Sequence, residues 1–222
     1  MRFALVDLAL VGLLGAVCAS AQEAVPAVRE PHHHTVYEDA RARILDIRIE
    51  PRESMLLHRH DTDYAWVDAT GIHFSRGGMT HAEGNHEVIV ELLQPQTNPR
   101  NVCDEVLQGE YLHCHEPGSE WIGAALRIQF ETDQTRIGIL RLAPDGTLAV
   151  PPADVPPLLI PLEGTEAEAI SRLNGSPLDS NSRHSVKTVE VLRSPADHLT
   201  EVRNIGKTAA RFLVVEFGGA GE

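Results

Sequence analysis

From Tyr37 onward, apolar and charged residues alternate: Ala42, Ile44, Ile47 and Ile49 are set among Arg43, Asp46 and Arg48. A period near two is that of a strand with one face turned to a core. Turn-forming Pro51-Arg52-Glu53-Ser54 interrupts the pattern, and Met55-Leu56-Leu57 opens a second strand. Similar short strands separated by Gly and Pro recur to the end of the chain, and only Gly164 to Leu173 reads as a helix. The expected fold class is therefore all-β, built as antiparallel sandwiches or barrels rather than as a parallel α/β sheet. Residues 22–34 hold Ala, Glu, Pro and the run His32-His33-His34 without periodicity. They read as a disordered arm whose imidazoles nothing holds in a fixed geometry.

The strand pattern occurs twice. Tyr37-Glu38, Arg43-Ile44, Ile47-Arg48-Ile49 and Pro51 reappear 93 positions on as Phe130-Glu131, Arg136-Ile137, Leu140-Arg141-Leu142 and Pro144. Each copy closes on an apolar strand ending in Val-Glu, Val88-Ile89-Val90-Glu91 in the first and Leu213-Val214-Val215-Glu216 in the second. An opening block and a closing block in the same order point to duplication of one β unit. The units are read as 35–94 and 122–218, joined by a 95–121 linker rich in Pro and carrying Cys103 and Cys114. The stretch from Tyr64 to Arg76 is short for the strands a closed barrel requires. Glu163 to Lys187 reads as an insertion of the second unit, rich in Ser, Asn and Gly.

Composition narrows the function. With 19 Lys and Arg against 32 Asp and Glu the net charge is −13, a field that repels nucleic-acid phosphates and anionic lipid. No basic patch or basic amphipathic helix offsets it, so neither nucleic acid nor a membrane surface is an expected partner.

The first 21 residues have the layout of a signal peptide: Arg2, then ten apolar residues from Leu8 to Val17, then Ala19-Ser20-Ala21 as a cleavage site. That apolar run is too short to span a bilayer, so the mature chain is expected to be secreted or periplasmic, exported unfolded, with no membrane attachment. Val17 stands where a lipoprotein signal wants a small residue before Cys18. The mature chain keeps Cys103 and Cys114, an even count in an oxidising compartment. A disulfide is the favoured reading. The rival is a metal site with His113 and His115, which lacks the paired spacing of zinc motifs.

His58-Arg59-His60 ends the second strand of the first unit. Alternation puts the two imidazoles on one face, where they can share a cation, and Arg59 on the other. A third imidazole, His81, lies in Gly77-Gly78-Met79-Thr80-His81-Ala82-Glu83-Gly84-Asn85, where the glycines permit a tight turn into a strand.

On these residues the chain resembles the cupin superfamily. The first cupin motif, with its H-x-H pair, is met by His58 and His60, and the second by Gly78, His81 and Asn85. The segment from Glu91 to Gln96 with the cysteine-bearing linker is also similar to exported bacterial proteins with two cupin units. The resemblance covers about residues 35–218. It implies tandem jelly-roll barrels, a bicupin, with a divalent metal on His58, His60 and His81, and a homodimer formed through barrel faces. The motif glutamate is missing, Tyr64 and Ala65 standing in its place; Asp63, Tyr64 and Glu83 are the candidates to act beside the metal as acid, base or hydrogen-bond donor. The second unit has Pro151 and Ala153 where the first has His58 and His60, and Thr200 opposite His81, so no metal is expected there. Imidazole donors loaded outside the cytoplasm favour zinc first and iron(II) second. Two functions follow: a metal-dependent protein, enzyme included, acting on a small organic acid or sugar, or a non-catalytic ligand-binding or structural bicupin. The fold does not choose between them.

Overall fold

The structure is a computed structural model describing residues 23–68, 71–80, 86–101, 106–107, 110–111, 120–121, 124–150, 153–173, 182–194 and 197–218. The first unit contains β1 (Val25–Pro26), β2 (His33–Glu38), β3 (Ala42–Arg48), β4 (His58–His60), β5 (Asp63–Val67), β6 (Ile72–Ser75), β7 (Gly78–Thr80) and β8 (His86–Leu92). Between the units run the short strands β9 (Arg100–Asn101), β10 (Val106–Leu107), β11 (Glu110–Tyr111) and β12 (Glu120–Trp121). The second unit comprises β13 (Ala124–Glu131), β14 (Thr135–Leu142), β15 (Thr147–Val150), β16 (Leu158–Pro161), β17 (Ala167–Leu173), β18 (Ser182–Ser185), β19 (His198–Asn204) and β20 (Ala210–Phe217). One 3-10 turn, Ala27–Arg29, interrupts the strands, and the fold is all-β.

The pairings are nested. In the second unit β14 pairs with β20, β15 with β19, β16 bridges Leu192, and β17 pairs with β18, all antiparallel. The strands alternate between a sheet containing β14-β20-β16 and a sheet β15-β19-β17-β18, which is jelly-roll winding. The first unit repeats it with β3 on β8, β4 on β7 and β5 on β6. It lacks the innermost hairpin: only four residues separate β5 from β6, and the turn closes with Asp68 N–H donating to the Gly71 carbonyl at 3.1 Å. The barrel of the first unit is thus shorter by one strand pair, as the brevity of 64–76 foreshadows.

The duplication holds in backbone detail. The β2–β3 register shifts between Thr35 and Tyr37, and the β13–β14 register shifts between Ile128 and Phe130, the same places 93 residues apart. Asp39 accepts from the amides of Arg41 and Ala42, and the Thr132 hydroxyl takes the same role for Gln134 and Thr135. Arg43 pairs with Glu91 as Arg136 pairs with Glu216.

Strand alternation builds three cores. Ala42, Ile44, Ala65, Val67, Val88 and Val90 turn one face of the first unit onto Phe130, Ile137, Ile160, Leu213 and Val215 of the second, so the units are sealed by a shared apolar layer. The opposite face carries Leu45, Ile47, Tyr64 and Ile89 into the first barrel. Leu140, Leu142, Leu148, Val150, Val202 and Phe212 fill the second.

Two expectations are corrected. Residues 23–34 are not a free arm: Val25–Pro26 pairs in parallel with His58–Arg59, Val25 N–H donates to the Leu57 carbonyl at 3.0 Å, and His33 begins β2. Glu30, buried, fastens this strap by accepting from the Leu56 amide at 3.2 Å and from the His32 amide and ring. Residues 167–173 are strand, not helix, because β17 is flanked by β18 and β19 and the ladders override the helical propensity of Ala and Glu. The described part of the 95–121 linker also holds short strands. Cys103 and Cys114 lie outside the described residues.

Candidate metal centre

Strand β4 carries His58 and His60 inward, at 0% and 1% exposure, while Arg59 points out and pairs with Asp61. The strap and β2 add His33, 6% exposed, on the face it shares with its cross-strand partner Ile47. The three imidazoles form one cluster, with a nitrogen of each within 4.8 Å of the others. The His33 ring lies 4.6 Å from that of His58 and 5.6 Å from that of His60, centroid to centroid, and His58 and His60 are 5.4 Å apart.

Hydrogen bonds decide which nitrogen faces the cluster. His58 Nδ1 is 2.9 Å from the Leu56 carbonyl, which can only accept, so Nδ1 carries the proton and Nε2 the lone pair in the neutral ring. His60 Nδ1 donates to Glu91 Oε1 at 2.7 Å. Burial works to raise the Glu91 carboxyl, but the bonds from His60 and Arg43 outweigh it and hold the group below the ordinary range, as a carboxylate. A carboxylate behind an imidazole fixes the ring and raises its basicity toward a cation on the far nitrogen. That nitrogen, His60 Nε2, and both nitrogens of His33 are buried without a hydrogen-bond partner among the described residues. Burial, then the neighbouring His58 and His60, push His33 down to about 4. It is neutral at pH 7, the form a metal requires.

Tyr64 stacks on His60 at 4.1 Å between centroids and closes one side of the cluster. Asp63 is bound instead by the Arg76 guanidinium and the Gly77 amide, and it does not join the three imidazoles. His81 and Glu83 lie outside the described residues. The sequence reading missed His33 and Glu91. The repeat itself could have flagged His33: the position 93 residues on is Leu126, within the apolar β13 and opposite Leu140, just as His33 lies opposite Ile47.

No protein-family model matches the chain, and no curated protein does. Among solved structures the chain is similar to a cupin domain from Bordetella pertussis Tohama I at 15% identity, covering 46% of this chain and all of that one, with a TM-score of 0.35. It is similar to a cupin superfamily protein from Desulfitobacterium hafniense DCB-2 at 14% identity over 43% of this chain and 78% of that one, TM-score 0.32. The cupin domain of Schizosaccharomyces pombe Cnp3 is 15% identical over 47% of this chain and 73% of its own, TM-score 0.34. The chain's own strand pairings establish two jelly-roll units, and the shorter one encloses three imidazoles.

Proposed function

We propose that this chain is an exported cupin protein whose first barrel binds one divalent metal ion through His33, His58 and His60. The observation that carries the reading is the set of three buried imidazoles with one nitrogen of each within 4.8 Å of the others, His60 Nε2 and both His33 nitrogens lacking a hydrogen-bond partner among the described residues. A cluster of neutral rings without a cation would leave the two nitrogens of His33 and His60 Nε2 desolvated, at about 1–3 kcal/mol for each such group. A divalent ion offsets that cost and supplies Lewis acidity to whatever reaches it. Loading outside the cytoplasm favours zinc, with iron(II) second.

The rings are at most 6% exposed, and Tyr64 covers His60. Enclosure of this degree favours a metal that ties the strap to the barrel, since structural sites are closed and catalytic ones keep an open position. The second reading, a metal-dependent enzyme acting on a small organic acid or sugar, draws on the donor count: three nitrogens leave a fourth coordination position for water.

Metal analysis of the purified chain from Gln22 onward tests the proposal. Wild type holds one equivalent of zinc after dialysis, and His58→Ala and His60→Ala hold none. His81→Ala decides whether that residue is a further donor. Substoichiometric metal, equal in every variant, contradicts the reading and leaves a metal-free scaffold. Slow extraction of the ion by a chelator supports the closed site, and rapid exchange supports the open, catalytic one.

A further inference from the structure

Strand β4 lies in the middle of a three-stranded sheet, with β7 along one edge and β1, the start of the strap, along the other. Val25 stands beside His58 and Pro26 beside Arg59, so the strap borders one imidazole of the cluster and, through His33, supplies another. The second unit offers the comparison. Its strand in the place of β4 is β15, which pairs with β19 as β4 pairs with β7, and among the described residues no strand lies along its other edge. The unit with the imidazoles has the strap, and the unit with an aliphatic barrel has none among the described residues.

The strap is held differently from the barrel beneath it. Of residues 23–33 only Ala27, Glu30 and His33 are buried, and Val28 is 46% exposed. Apolar burial, which secures the barrel strands, therefore contributes little here. The strap is fastened instead by two residues of parallel ladder, by the Glu30 carboxylate accepting from the Leu56 amide at 3.2 Å, and by the seat of His33 in the cluster. A segment with so few apolar contacts opens at a free energy well below that of global unfolding. The ion needs such an opening, because the three rings are at most 6% exposed and Tyr64 covers His60. We infer that the strap is the gate of the metal centre: the ion enters and leaves along the β4 edge when residues 25–30 lift, and its bond to His33 holds the strap closed behind it. The inference rests on the metal reading above and adds the route of the ion and what controls it.

The test times zinc uptake by the metal-free mature chain, and zinc extraction by a chelator, for wild type, the double variant Pro26→Cys with Arg59→Cys, and Glu30→Ala. Pro26 and Arg59 are register partners on neighbouring strands, which run about 4.8 Å apart, within the Cα span of a disulfide, so oxidation staples the strap to β4. The oxidised double variant is expected to take up and release zinc about tenfold or more slower than the reduced one and to end at the same single equivalent. Wild type under the same two conditions controls for Cys103 and Cys114 and shows no such change. Glu30→Ala removes a fastening and is expected to release zinc about tenfold faster than wild type; it keeps the test decisive if the staple does not form. Equal rates in the oxidised and reduced double variant, or release from Glu30→Ala as slow as from wild type, overturns the gate and leaves the metal centre standing. Wild type that binds no zinc overturns both.

Discussion

His33 and Leu126 occupy equivalent positions in the two units: His33 lies opposite Ile47 on β2 and β3, and Leu126 lies opposite Leu140 on β13 and β14. In the second unit that position holds an aliphatic side chain packed on the barrel core. In the first unit the same position holds an imidazole with no well-formed hydrogen bond among the described residues, only a weak interaction with the Ala27 backbone offsetting its burial. That departure from apolar packing lowers stability until a ligand satisfies it.

His33→Leu is therefore expected to stabilise the metal-free protein, by about 1–3 kcal/mol, the cost of an unsatisfied buried polar group. Urea denaturation with a chelator present measures it. Added zinc raises the midpoint of wild type by more than that of the variant, which keeps only His58 and His60 of the three rings. A variant less stable than wild type without metal means that His33 has hydrogen-bond partners in solution.

Glu91 and Glu216 form a matched pair. Both face an arginine from the equivalent strand of their unit, β3 or β14, and among the described residues only Glu91 of the two also accepts from a histidine. Glu91→Gln is expected to lower zinc affinity about 10- to 100-fold, the usual effect of losing the carboxylate behind a ligating imidazole. Glu216→Gln, at a half-exposed pair, leaves zinc affinity unchanged and costs under ~1 kcal/mol. Competition titration with a chromophoric chelator checks both, and equal affinities in the two variants would show that Glu91 does not orient the site.

Asp39 organises the turn from β2 to β3. Burial opposes its ionisation, but bonds from the Arg41 side chain and the Arg41 and Ala42 amides hold its carboxyl down to about 2. A folded value below the unfolded one means stability is present above pH about 4 and is lost as pH falls toward about 2. The side chain is about one-fifth exposed, so the contribution is discounted to about 1–2 kcal/mol. Asp39→Asn should remove that part of the acid dependence, as read by denaturation midpoints between pH 5 and pH 2. An unaltered acid limb in the variant contradicts the assignment.

The strap joins the barrel through β1 on β4, through Glu30 and through His33. A metal on His33 locks it. Trypsin cleavage after the exposed Arg29 is expected to slow at least fivefold when one equivalent of zinc is added to wild type, with no change in His33→Leu. Equal protection in both proteins would mean that zinc acts elsewhere.

Much of the architecture is written in local pattern. The all-β class, the 93-residue repeat and the inward pair His58 and His60 follow from period-two alternation, and the shared register shift, turn acceptor and Arg–Glu pair are the structural form of that repeat. What escaped depends on long-range pairing. His33 sits in a polar run with no periodicity of its own, and it becomes core only because β3 and β4 receive the strap. Ala167–Leu173 has helical composition, and its ladders with β18 and β19 make it a strand. Glu91 stands out in sequence only as the end of a repeated Val-Glu motif; the partner that gives it a role, His60, is 31 residues away.

Zinc K-edge X-ray absorption on protein carrying one equivalent of zinc tests the central claim most directly. The account predicts imidazole scattering at about 2.0 Å from a shell that includes His33, His58 and His60, falling by one imidazole in His33→Leu. A shell unchanged by His33→Leu would show that this ring is no ligand and would contradict the account.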